Sequence, residues 1–83
     1  MNMNKDFNIQ NQFLNRVRKS KIVVTAHIND GRIFQGVITA FDNYSLLLKD
    51  KSSSTPILVF KHALLYIEAV DKGNELLGIG EEI

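Results

Sequence analysis

The stretch Ile22 to Phe41, IVVTAHINDGRIFQGVITAF, decides the fold. In its first half Ile22, Val24, Ala26 and Ile28 alternate against Val23, Thr25, His27 and Asn29, the period of two that belongs to a strand with one buried face. The run stops at Asp30-Gly31, a pair that favours the tight turn of a hairpin because glycine takes positive φ without steric cost. The return run Arg32 to Phe41 then sets Phe34, Gly36, Ile38 and Ala40 on one face. A glycine in mid-strand, Gly36, predicts a sharp bend or a close backbone approach, so the sheet is expected to curve.

Working outward, Asn8 to Lys19 carries Ile9, Phe13, Leu14 and Val17 at helical spacing, with Asn8 or Asp6 to cap its start and Arg16, Arg18 and Lys19 at its end, where the helix dipole favours cations. Beyond the hairpin, Asp42-Asn43 signals a turn before a third strand, Tyr44 to Lys49. The Ser-rich segment Asp50 to Pro56 reads as the longest loop. Ile57 to Lys61 and Leu64 to Val70 are two further apolar runs separated only by His62-Ala63, which implies a tight corner. On these last strands Leu58, Phe60, Leu64, Tyr66 and Val70 alternate with Ile57, Val59, Leu65 and Ile67.

The expected architecture is mainly β: one helix over residues 8–19, then five short, bent antiparallel strands over 22–70, the layout of a small barrel. SH3-like, OB-like and Sm-like barrels all fit that pattern. The first seven residues are expected to be flexible, and 71–83, with three glycines and Glu75, Glu81 and Glu82, to form a short acidic mobile tail that competes with bound ligand for basic surface.

With 83 residues the chain supports one small domain whose core is marginal, and association between copies is a common remedy. Exposed edges on the last two strands would allow head-to-tail pairing into a ring. There is no cysteine, so a disulfide framework and a thiolate zinc site are excluded, and His27 with His62 makes a poor metal site. No segment reaches the ~18 apolar residues needed to span a bilayer, and the polar start lacks the apolar stretch of a secretory signal, so a cytoplasmic protein is expected. The net charge of +1 hides a polar distribution: residues 1–61 hold nine bases and four acids, residues 62–83 one base and five acids.

One run carries more than pattern. Phe60-Lys61-His62-Ala63 between the last two strands, together with Phe13-Leu14-Asn15, Gly31, Gln35-Gly36, Phe41-Asp42-Asn43-Tyr44 and Leu47-Leu48-Lys49 in that order, resembles the Hfq family of bacterial Sm-like RNA chaperones. The resemblance runs from about Gln10 to Val70. It implies an Sm-like (SH3-like) barrel assembled as a homohexameric ring through the fourth and fifth strands. It also implies RNA as partner, uridine-rich small RNAs and mRNA, with no cofactor, no metal, no membrane and no enzymatic activity.

Three RNA surfaces follow from the resemblance. A proximal, uridine-binding face would use Gln10, Phe41, Asn43, Tyr44, Lys61 and His62; Tyr44 suits base stacking, and Lys61 and Gln10 suit the uracil edge. A basic rim would use Asn15, Arg18, Lys19, Lys21 and Lys49 on phosphates. A distal, adenine-binding face would use Thr25, His27, Gly31, Arg32, Ile33 and Gln35. This last face departs from the family, with His27 where tyrosine is common and Asp30 placing an anion near the expected phosphate path, so adenine-rich RNA is its open question. The competing functions are an Sm-like or SH3-like barrel that scaffolds proteins without binding RNA, and a small nuclease built on His62 or His27 with Asp42 or Glu68.

Overall fold

A computed structural model of the chain describes residues 8–69. The expectations for the first seven residues, for Val70 and for the tail lie outside the described residues. Helix α1 (Ile9–Lys19) starts where the side chain of Asn8 accepts a hydrogen bond from the Asn11 N–H at 3.1 Å, and its last turn carries Arg16, Arg18 and Lys19. Leu14 and Val17 are buried and Phe13 packs beside them, whereas Ile9 at the first turn stays 56% exposed. The chain leaves the helix through Lys21 at φ 53°, and the Ile22 N–H still bonds the Val17 carbonyl at 3.0 Å.

Five strands follow: β1 (Val23–Ile28), β2 (Ile33–Phe41), β3 (Ser45–Asp50), β4 (Pro56–Phe60) and, after a 3-10 turn over Lys61–Ala63, β5 (Leu64–Ala69). All neighbours are antiparallel, in the order β4-β3-β2-β1-β5. The two edges of the sheet, β4 and β5, are therefore consecutive in the chain and joined by only three residues. Five strands can satisfy that connection only by curling until first and last meet, which produces the bent, barrel-like sheet. The short turn is pinned on both sides: Asn29 N–H donates to the Ala63 carbonyl and Lys61 N–H to the Tyr44 carbonyl, each at 2.8 Å.

Gly36 is the bend. A Cβ built there would run into the Lys49 carbonyl and come within 2.9 Å of Leu48 Cδ2, so β2 and β3 cross closer than any side chain permits. Proline stands at the first residue of edge strand β4, where no ladder hydrogen bond is lost. Gly31, at φ 97°, makes the hairpin turn.

The core consists of Leu14, Val17, Val24, Ala26, Ile28, Ile38, Leu46, Leu48 and Val59. Two expectations from strict alternation are corrected. Ala40 is exposed and Phe41 half-buried, because the β2–β3 register shifts between Ile38 and Ala40. Likewise Leu65 is 65% exposed while Leu64 turns inward, because the β1–β5 register shifts between His27 and Ile28 and leaves Leu65 without a place in the alternation. An extra residue in one strand inverts the faces beyond it.

Candidate nucleic-acid interface

At one end of the sheet, the β2–β3 turn and the 3-10 turn come together. Asp42 organises the first: its Oδ1 accepts from the N–H groups of Tyr44 (2.9 Å) and Ser45 (2.8 Å) and from Ser45 Oγ (3.0 Å). The Tyr44 N–H bond, then those from Ser45, with the Lys61 charge adding to them, hold the Asp42 carboxyl below its ordinary range. The turn leaves Tyr44 77% exposed, the most open of the large hydrophobic side chains described, and Asn43 exposed beside it.

Lys61 is the contrasting residue. Its Nζ is buried and has no hydrogen-bond partner among the described residues, and it lies 5.8 Å from the centroid of the Phe41 ring. A cation over a ring gains some attraction, yet three ammonium donors remain without acceptors. Lys61 and Gln10 line one cavity of about 360 Å³ between α1 and β5, with Ile9, Phe13, Leu46 and Leu64 among its other walls. His62 is exposed, its ring stacked 6.1 Å from that of Phe60. The structure thus gathers Gln10, Phe41, Asn43, Tyr44, Lys61 and His62 around the two turns at this end of the sheet.

Phe41 also ties this end to the basic rim. The Arg18 guanidinium lies 6.0 Å from the same ring centroid and donates to Asn15 Oδ1 at 2.8 Å. Arg18, Lys21 and Lys49 line a second cavity of about 570 Å³, while Lys19 is exposed in the last turn of α1. Asp50, Lys51 and Ser54 are among that cavity's other walls, and none of the three was expected there from sequence. Lys51 and Ser54 belong to the loop that Asp50 organises by accepting from the N–H groups of Ser52 and Ser53, both at 3.0 Å. Those two bonds, the Ser53 one first, lower the Asp50 carboxyl below its ordinary range. The loop's fold is what puts Lys51 on the wall of the cavity that Arg18 also lines.

The third surface differs from its expectation. His27 is not an open stacking face: its ring lies on Tyr66, with centroids 4.1 Å apart and planes 14° apart, and its Nε2 is 2.9 Å from Glu68 Oε1. Only 19% of the His27 side chain remains exposed. Thr25 is buried and accepts from Gln35 Nε2 at 3.1 Å, so it is no solvated strand residue. Asp30 accepts from the Arg32 N–H at 3.0 Å and from Arg32 Nε at 2.9 Å, which lowers its carboxyl, the backbone bond most of all. Arg32 therefore neutralises Asp30 rather than standing free, and Ile33 is exposed at 57%. Tyr66 and Glu68 were missed because the signal is long-range: alternation in β5 places them on one face, but only the β1–β5 register shows that His27 lies opposite Tyr66.

Among the described residues no group of three His, Asp or Glu is placed to hold a metal ion, and no helix is long and apolar enough to cross a membrane.

A helix-capped, five-stranded bent sheet whose two edge strands meet at a short turn defines an Sm-like barrel. A family profile described as Hfq protein matches residues 9–74, and the chain belongs to the Hfq family. Similar chains include proteins named RNA-binding protein Hfq from Granulibacter bethesdensis, 48% identical over 60 residues, and from Cereibacter sphaeroides, 49% identical over 57. The matches cover 72% and 69% of this chain, and 62% and 71% of those relatives respectively. In the Granulibacter case the match thus spans less than two thirds of the relative's length. A crystal structure described as that of the pleiotropic translational regulator Hfq superposes with a TM-score of 0.69 at 28% identity, over 74% of this chain and 98% of that one.

Proposed function

We propose that the chain is a ring-forming RNA chaperone that takes uridine-rich 3′ ends of small RNAs at the Lys61 end of the sheet and promotes their pairing with messages. The observation that carries this is the buried Lys61 Nζ with no acceptor. Burying an ammonium without a partner is costly, whereas an exposed one is solvated at no such cost, so a site that keeps one suits an acceptor from outside the chain. Uracil O2 or O4, or a phosphate oxygen, supplies it. Gln10 stands in the same cavity to bond the base edge, and the exposed ring of Tyr44 offers the stacking face.

The ring, six copies as the resemblance implies, would form by pairing the β4 edge of one copy with the β5 edge of the next, covering Leu58, Phe60, Leu65 and Tyr66, all more than half exposed in the single chain. Closure would place several Lys61 sites around one pore, multiplying a weak site. The Arg18–Lys21–Lys49 cavity supports the rim's share, holding RNA phosphates through charge. The work proposed is binding rather than catalysis, carried out in the cytoplasm by the domain of residues 8–70.

The test is fluorescence anisotropy with labelled hexauridine at fixed salt, for the chain and for Lys61→Ala. Saturable binding that weakens at least tenfold in the variant is the expected outcome; binding to neither protein would favour the scaffold. Labelled RNA incubated with chelator should remain intact, and cleavage would instead point to the His27–Glu68 pair.

A further inference from the structure

The second cavity gathers four cations, Arg18, Lys21, Lys49 and Lys51, with one carboxylate, Asp50, so four positive charges less one negative leave its walls at +3. Three parts of the chain supply them, and backbone geometry fixes each. Lys21 turns out of α1 at φ 53°, Lys49 pairs with Val37 across β3 and β2, and the Lys51 N–H donates to the Gln35 carbonyl at 2.9 Å. Like charges held together repel, and among the described residues none of the four forms an ion pair.

The one acid does little to offset them. Asp50 Oδ2 already accepts from the Ser52 N–H, the Ser53 N–H and the Ser53 hydroxyl, all within 3.1 Å. Donors, by contrast, are in surplus. Arg18 gives one bond to Asn15, and a guanidinium has five N–H groups to give. Ser54 joins the loop through its backbone N–H, at 2.9 Å from the Asp50 carbonyl, and its hydroxyl has no partner among the described residues. No residue of β4 or β5 lines this cavity, so the edge pairing proposed for the ring leaves it open.

We propose that this cavity takes the 5′-triphosphate of an unprocessed RNA, an inference that rests on the chain being an RNA binder and deepens the share given to the rim. Within a strand, phosphate charge is spread at one per nucleotide. A 5′-triphosphate instead packs a charge of about −4 into three linked groups, since its terminal phosphate is nearly doubly ionised at neutral pH. Four cations around one concavity, with a hydroxyl donor beside them, match the compact charge better than the extended one. Arg18 suits two oxygens of one phosphate, and the three lysines suit the rest as point charges. Such a site distinguishes a primary transcript from one whose 5′ end has been hydrolysed or cleaved. It differs from the Lys61 cavity in its residues and in reading phosphate rather than base.

The experiment is an anisotropy titration, without added magnesium, of a cytidine octamer labelled at its 3′ end and bearing either a 5′-triphosphate or a 5′-hydroxyl. Unlabelled hexauridine in excess occupies the Lys61 site, and a 5′-hydroxyl cytidine dodecamer supplies the same total charge as the triphosphate octamer, spread along the strand. The triphosphate octamer is expected to bind about tenfold more tightly than the hydroxyl octamer, the gain of one charge-assisted hydrogen bond or more, and more tightly than the dodecamer. Lys51→Ala should reduce that preference and Lys51→Arg should keep it. Ser54→Gly, which suits the positive φ of 62° at that position, should reduce it without straining the loop. Equal binding of the triphosphate octamer and the dodecamer, or a preference unchanged in the Lys51→Ala, Ser54→Gly double variant, would overturn the proposal. Inorganic tripolyphosphate should displace the octamer only at much higher concentration, because the rest of the strand adds its own contacts. Displacement at matching concentration would make free polyphosphate the ligand and overturn the RNA end. Labelled hexauridine titrated in parallel keeps the two ideas apart: its binding with no triphosphate preference sinks this site alone, whereas its failure to bind sinks the uridine site.

Discussion

The backbone N–H of Lys61 donates to the carbonyl of Tyr44 at 2.8 Å, so the residue that precedes β3 and the residue that follows β4 form one rigid unit. This bond joins the backbones of two residues 17 positions apart in the chain, one with an exposed ring and the other with a buried ammonium. That pairing puts both residues at one end of the sheet, as the proposed uridine site requires.

Replacing Lys61 by methionine separates function from stability. The substitution keeps the apolar stem and removes a buried, unpartnered charge, so urea unfolding should show stability unchanged or raised by about 1 kcal/mol. Hexauridine affinity should fall at least tenfold in the same preparation. A stability loss would mean that the ammonium has a structural acceptor instead.

Tyr44→Ala should do the reverse of a core mutation. The side chain is 77% exposed, so stability should stay within about 0.5 kcal/mol. Loss of one base stack should weaken hexauridine binding by about 1–3 kcal/mol in anisotropy.

Gly36→Ala should destabilise strongly. The new methyl group meets the Lys49 carbonyl, a backbone atom that cannot swing aside as a side chain would. The cost expected from chemical denaturation is about 3 kcal/mol, the upper part of the range for overpacking.

Acid should loosen the Tyr44 turn through Asp42. Its carboxyl titrates lower in the folded chain than in the unfolded one, because the Tyr44 and Ser45 N–H groups bond the ionised form. The stability it contributes is therefore complete above an unfolded aspartate value of about 3.9 and is lost as pH falls through the lower, folded value. Asp30 and Asp50 act in the same direction. Followed by circular dichroism, Asp42→Asn should show a shallower fall in stability below pH 4 than the unaltered chain.

Leu58→Lys on edge strand β4 should shift sedimentation towards smaller species with the far-ultraviolet spectrum unchanged. Leu58 is 55% exposed in the single chain, so the change touches association and not the core. An unaltered mass would remove the β4 edge from the ring contact.

Much of this was legible in the sequence, because periodicity and turn chemistry are local. The helix with its Asn8 cap, the hairpin at Asp30-Gly31, the bend at Gly36 and the corner before Leu64 all appear where the residues predicted them. Faces failed beyond the two register shifts, at Ala40 and Leu65, since an extra residue in a strand leaves no mark in composition. The residues proposed for uridine were named from the ordered motifs, and the structure brings them to one end of the sheet. Burial of the Lys61 ammonium was not, because it depends on α1 and β5 closing over a turn. The third surface was least legible: nothing near His27 in the chain announces that Tyr66, 39 positions later, will lie flat upon it.

The three-residue corner Lys61–Ala63 does more than end one strand and begin another. It fixes the angle between an outgoing edge and an incoming edge, and in a head-to-tail assembly that angle is the step by which each copy is rotated from the last. Six copies close when the step is about 60°. In the ring proposed above, the same short segment that carries Lys61 and His62 would set the symmetry, and a one-residue insertion there would be expected to change the number of copies.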